Sequence, residues 1–148
     1  MTFNENWYSD EQASLLASLG RSVRSLDGAV IEIGCWEGKS TCALANAVYP
    51  DVVIAVDSWK GNIDENLNHP SVHIAKSRDV LSVFKSNVAR LTKGNVDIVV
   101  ADCHNFLAAH KEPVKFCHID ACHDYLSVAR TIRVLLPSVV PGGDSLWR

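Results

Sequence analysis

The run Val30-Ile31-Glu32-Ile33-Gly34-Cys35-Trp36-Glu37-Gly38-Lys39-Ser40-Thr41 constrains this chain more than any other stretch. It reads as a buried parallel strand, a short glycine turn and the opening of a helix. Strands that alternate with helices in this way build open α/β sheets, which bind ligands beyond the carboxyl ends of their strands. Gly34 and Gly38 lack a Cβ, so the backbone there can turn sharply and approach a ligand closely. A pyrophosphate-binding turn favours G-x-G-x-x-G, whereas this one reads G-x-x-x-G. Two acidic residues, Glu32 inside the strand and Asp57 at the end of the next, bear on which ligand the turn suits.

Elsewhere the pattern repeats. Ser9-Asp10-Glu11-Gln12 has the form of a capping box, and the following helix carries an apolar stripe of Ala13, Leu16, Ala17 and Leu19 that is expected to stop near Gly20. Strands are expected at Ala29–Ile33, Val52–Val56, Val96–Ala101 and Val114–Ile119, and helices at Lys39–Val48, Arg78–Leu91 and Tyr125–Leu136. The strands are short, rich in β-branched residues and apolar on both faces, as parallel strands covered by helices should be. Right-handed crossovers give the neighbour order 3-2-1-4. The expected fold is thus a single Rossmann-like α/β domain, a doubly wound parallel sheet in three αβα layers over residues 1–148. Ser58–Ser77 is long and polar, with Gly61, Pro70 and two histidines, and reads as a lid or mobile loop.

Composition excludes several classes. A chain of 148 residues, 47% hydrophobic and 21% charged, fits one globular domain. A net charge of −3 without a basic stripe argues against nucleic acid as a partner. No apolar run reaches the length of a membrane span, and Met1 to Asp10 is too polar for a signal peptide. Five cysteines, odd in number and without a compact framework, suit a reducing compartment, so a cytoplasmic location is expected.

The turn E-I-G-C-W-E-G-K-S-T resembles the first motif of class I S-adenosylmethionine-dependent methyltransferases, an acidic residue followed by G-x-x-x-G. V-D-S-W-K-G at Val56 to Gly61 and H-I-D-A-C-H-D-Y at His118 to Tyr125 resemble a narrower branch, the macrocin O-methyltransferase and cephalosporin hydroxylase-like proteins. The likeness runs from about Trp7 to Gly143. It implies methyl transfer from S-adenosylmethionine to a hydroxyl of a small molecule or sugar. It implies that Glu32, Gly34, Cys35, Trp36, Gly38 and Ser40 hold the methionine part, with helix N–H groups near its carboxylate. Asp57, beside Ser58, is expected to accept the ribose hydroxyls, and Asp102 and Cys103 to contact adenine. The resemblance also implies Asp120 as a ligand to a divalent metal such as Mg²⁺, and His123 as general base for the acceptor hydroxyl. Physical chemistry is compatible with those roles. Asp120 ends an inner strand past the switch point, where it faces the crevice. Imidazole titrates near neutral pH, and a carboxylate beside Mg²⁺ can anchor and acidify a hydroxyl.

The sequence departs from the resembling pattern at its end. Pro141-Gly142-Gly143 resembles the family's P-G-G turn, after which related chains continue through a strand carrying an acidic pair. Here Asp144 follows the glycines at once and is a poor stand-in for the missing metal ligands. The chain is therefore expected to lack the usual C-terminal strands. Its fourth strand would be an exposed edge, or an edge through which a homo-oligomer forms. The alternative function is a shortened, catalytically weak domain that binds S-adenosylmethionine or S-adenosylhomocysteine. A nucleotide- or NAD-binding oxidoreductase ranks third, because the third glycine is missing. Zinc on Cys117, Cys122, His118 and His123, with Cys103 and His104 nearby, lacks a usual ligand spacing. No G-x-S-x-G elbow supports a hydrolase. His69, His73, His104 and His110 form no constellation and read as surface groups.

Overall fold

The five strands pair in parallel in the order β3-β2-β1-β4-β5, so the switch of direction falls between β1 and β4. A computed structural model describes residues 3–62, 67–121 and 124–147. Along the chain the elements are α1 (Asp10–Ser22), β1 (Ala29–Ile33), α2 (Lys39–Val48), β2 (Val53–Asp57), α3 (Pro70–Ser77), α4 (Val80–Leu91), β3 (Val96–Val100), α5 (Cys103–Ala109), β4 (Val114–Ile119), α6 (Tyr125–Leu135) and β5 (Val139–Trp147). The expected order 3-2-1-4 therefore holds, with one strand added.

Side chains alternate across the strands, and the alternation builds both layers. Val30, Val53 and Phe116 pack with Leu16 of α1 and Leu44 and Val48 of α2. Ile31, Val56, Cys117 and Ile119 point the other way, against Leu107 of α5 and Leu135 of α6. A third cluster, Phe84 and Val88 of α4 with Cys42, Ala55 and Trp59, extends the first layer. Cys117 thus serves as a small apolar side chain in the core, and burial beside Glu32 pushes its thiol pKa up. Among the described residues, no helix is long and apolar enough to cross a membrane.

Four expectations need correction. The β4 edge is not bare: β5 pairs along it, with Phe116 opposite Asp144 and Ile119 opposite Trp147. Pro141-Gly142-Gly143 disguised that strand, since proline and glycine are depleted from strands except at irregularities. The register shift between Val114 and Phe116 absorbs them as a bulge, with Gly142 at φ +81°. The β4 edge through which self-association was expected is thus taken by β5. Second, α1 does not stop at Gly20. The capping box at Ser9 and Gln12 forms, but the helix runs on to Ser22. Gly20 lies where α1 crosses α2, and a Cβ there would come within 2.8 Å of Leu44 Cδ1. Third, the polar segment after β2 is not all loop. His69 accepts the Ser71 N–H as N-cap, Pro70 takes the first helical position, and α3 follows. Fourth, α5 is a further helix that the expected pattern lacked, started by Asp102 as N-cap.

Candidate active site

Two glycine conformations shape the turn after β1. Gly34 has φ +85°, and a Cβ there would lie 2.3 Å from the Asp120 carbonyl oxygen. Its lack of a side chain lets the tips of β1 and β4 close on each other. Gly38, at φ +88°, caps the start of α2, where a Cβ would press on Phe84. The last residue of β2 holds the first two residues between them, Cys35 and Trp36. Asp57 Oδ2 accepts N–H bonds from Cys35 (2.8 Å) and Trp36 (3.0 Å), and Oδ1 accepts one from Trp59 (2.7 Å). The Trp59 indole N–H in turn donates to the Trp36 carbonyl at 2.9 Å. Trp36 (φ +47°) and Trp59 (φ +52°) both sit in the left-handed region. Bulky residues rarely adopt it, and such strain concentrates at ligand sites.

Beside this lock lies a cavity of about 760 Å³ at the carboxyl ends of the strands, within the size range of small-molecule sites. Gly34, Cys35, Trp36, Ser40, Asp57, Ser58, Asp102, Cys103 and Asp120 all line it, so residues far apart in sequence converge as expected. Gly38 shapes the turn without lining the cavity. Two expected roles change. Glu32 does not reach the cavity. It is fully buried on the α1/α2 side of the sheet, accepts the Thr41 hydroxyl, and lies 2.9 Å from His118 Nδ1. His118 Nε2 lies 3.4 Å from the Tyr8 hydroxyl. Glu32 is thus the hub of a buried polar chain, not a ligand contact.

Asp57 does face the cavity, but loop N–H groups take up most of its acceptor capacity, which is about four sites for a carboxylate. Its first task is to shape the turn. Burial lifts its pKa above the usual carboxylate value even against those N–H donors. Asp102 Oδ1 likewise accepts a bond from the Asn105 N–H within its own helix. The Cys35 thiol is pushed well above its ordinary pKa, first by burial and then by Glu32 and Asp57. Cys35 therefore contributes its main chain.

The expected base His123, with Cys122, lies outside the described residues. Asp144 of β5 sits opposite Phe116, well short of the strand tips, and accepts its neighbour Ser145's N–H at 2.7 Å. Among the described residues no three His, Cys, Asp or Glu side chains group to hold a metal ion. Asp120 lines the cavity, where its carboxylate would supply one oxygen ligand to Mg²⁺.

The N-terminal segment is the part of the site that the sequence concealed. Phe3, Glu5, Trp7 and Tyr8 all line the cavity, as does His69, which had read as a surface group. Asn4 donates through its backbone N–H (2.6 Å) and Nδ2 (2.8 Å) to the two oxygens of Glu37. Arg78 bridges Glu5 at 2.5 Å and Glu37 at 2.6 Å. Burial alone would raise the Glu37 pKa, but the Asn4 and Arg78 contacts outweigh it and hold it below the usual carboxylate range.

A family model described as a methyltransferase domain matches residues 31–147. No curated protein matches the chain. Among solved structures, the O-methyltransferase TomG from Streptomyces achromogenes, in complex with SAM, is similar with a TM-score of 0.72 at 19% identity, covering 98% of this chain and 58% of that one. The O-methyltransferase from Bacillus cereus, in complex with SAH, gives 0.70 at 20% identity over 95% of this chain and 56% of its own. The SAH-bound Podospora anserina methyltransferase PaMTH1 gives 0.69 at 15% identity over 95% and 53%. The chain spans little more than half the length of these structures, and at such identities the likeness establishes the fold. With a family model matched over most of its length, the chain belongs to the methyltransferase domain family.

Proposed function

We propose that this chain binds S-adenosylmethionine at the carboxyl ends of β1 and β2 and transfers its methyl group to a hydroxyl oxygen of a small molecule or sugar. One observation carries the reading: in a methyltransferase-family chain, Asp57 locks a left-handed glycine turn against the rim of the 760 Å³ cavity. The residues fit a sulfonium nucleoside. The first turn of α2, at Ser40, supplies backbone donors for a carboxylate. Asp57 offers its remaining acceptor capacity to a sugar hydroxyl, and Asp102 and Cys103 flank the place for a base. When bound, the cofactor supplies a methyl group already activated on sulfur.

The protein's own contribution is then orientation, exclusion of water and removal of the hydroxyl proton. His123, three residues beyond Asp120, is proposed to take that proton, with Asp120 orienting the acceptor. Help of this kind is typically worth a factor of about 10² to 10⁴. The free cysteines suit a reducing compartment, which supports a cytoplasmic setting.

The test is transfer of labelled methyl to a panel of hydroxyl compounds by wild type and His123→Ala. Turnover that drops by about two orders of magnitude in the variant supports the base assignment. Equal turnover in both removes it. Tight S-adenosylhomocysteine binding without turnover on any acceptor would favour the second reading, a cofactor-binding domain with little catalytic power.

A further inference from the structure

The cofactor cradle leaves one wall of the cavity unused, the wall built by the segment ahead of α1. Its charged groups face one another. Glu5 and Glu37 share the Arg78 guanidinium at 2.5 and 2.6 Å, and Lys39 pairs with Asp10 at 2.7 Å. What this wall offers a ligand is ring surface. The Trp7 and Trp36 rings lie 5.2 Å apart in a tilted stack, and Trp7 meets His69 edge-on at 6.5 Å. Trp7 lines the cavity and keeps 41% of its surface exposed. Trp36 is fixed from three sides: its backbone N–H on Asp57, its indole N–H on Glu5 (3.0 Å), and its carbonyl on the Trp59 indole. A bulky side chain held at φ +47° by that many contacts is being aimed.

We propose that Trp7 and Trp36 form an acceptor subsite that takes the flat face of an uncharged ring, arene or pyranose, and that Arg78 is the positioning residue that holds it in place. This rests on the methyl-transfer reading above and adds the class of acceptor. Both kinds of ring present a flat face that an indole can cover, and neither needs an unpaired charge on the wall. Arg78 acts through its two carboxylates. Glu5 ties it to the Trp36 indole, and Glu37 ties it to Asn4 and hence to the segment that carries Trp7.

Indole N–H resonances read the test directly, since each of the four tryptophans gives one signal and Trp7→Phe and Trp36→Phe identify theirs. Catechol, a methyl glucopyranoside and, as acyclic control, sorbitol are titrated into the full chain with and without S-adenosylhomocysteine. The expected result is saturable shifts of the Trp7 and Trp36 signals with at least one ring compound and none with sorbitol. Catechol alone assigns an arene, and the pyranoside alone assigns a sugar. Trp7→Ala should weaken ring binding by about tenfold, equivalent to about 1.4 kcal/mol, while Trp7→Phe retains it. Arg78→Ala should weaken ring binding while calorimetric affinity for S-adenosylhomocysteine stays within about twofold, a split that general destabilisation would not produce. No shift with either ring, equal shifts with sorbitol, or undiminished binding in Trp7→Ala would overturn the subsite. Loss of S-adenosylhomocysteine binding in wild type would instead overturn the cofactor reading, and the titration without that compound still decides the subsite.

Discussion

Glu32 and Asp57 stand near the ends of adjacent strands, yet they serve opposite parts of the molecule. Asp57 is the last residue of β2, and its oxygens reach past the sheet to the loops that rim the cavity. Glu32 is one residue short of the end of β1, deeper on the α1/α2 face, where Thr41 and His118 enclose it. By the β1–β2 register Glu32 lies opposite Ala55, two residues before Asp57, so the two carboxylates share a face and differ in how far along the strands they lie. The comparison teaches that a carboxylate in a ligand-binding motif can belong to the scaffold, and that the neighbouring strand's register says which.

Glu32→Ala gives the sharpest contrast and the largest effect. It leaves the Thr41 hydroxyl and the His118 ring buried without their acceptor, at about 1–3 kcal/mol for each unsatisfied group. Denaturant unfolding should show that loss, while the protein that remains folded keeps its affinity for S-adenosylhomocysteine. Asp57→Ala should behave the other way round. Unpairing its loop N–H groups costs about 1–3 kcal/mol of stability. Calorimetry should show the greater damage there, as ligand binding lost beyond detection. If both variants lose stability and binding in the same proportion, the division between scaffold and rim fails.

Acidity should separate two carboxylates on the rim itself. Asp57 has its folded pKa raised by burial, so the folded state binds more protons in the window between the ordinary and the raised value. Wild type should therefore lose stability relative to Asp57→Asn as pH rises through that window. Glu37 has its folded pKa lowered by Asn4 and Arg78, so its contribution is present above the ordinary carboxylate value and is lost as pH falls through the lowered one. Paired denaturation curves from acid to neutral pH, for Asp57→Asn and Glu37→Gln, should thus diverge from wild type with opposite slopes. The smallest effect belongs to the Lys39–Asp10 pair, whose carboxylate is 90% exposed. Lys39→Ala should shift the unfolding midpoint by less than about 1 kcal/mol of stability.

The sheet was legible because β-branched runs such as Val30–Ile33 and Val114–Ile119 alternate with helical stretches, and burial on both faces leaves little else they can be. The fifth strand was not legible, because Pro141-Gly142-Gly143 breaks its periodicity and only pairing with β4 makes it a strand. Asp57, Asp102 and Asp120 line the cavity because each sits at or just beyond a strand's carboxyl end, a place that strand order alone indicates. Glu32 did not, since its partner His118 lies 86 positions away and is found only through the β1–β4 register. The N-terminal wall was hidden for the same reason. Its contacts join Asn4 to Glu37 and Glu5 to Arg78, 33 and 73 positions apart, with no local pattern to announce them.

The most direct measurement is a crystal structure of the chain grown with S-adenosylhomocysteine. The account predicts the nucleoside beyond β1 and β2, its amino-acid end on the Gly34–Gly38 turn, its sugar against Asp57 and its base beside Asp102. Density for the nucleoside elsewhere, or a cavity holding only solvent at saturating ligand, would contradict it.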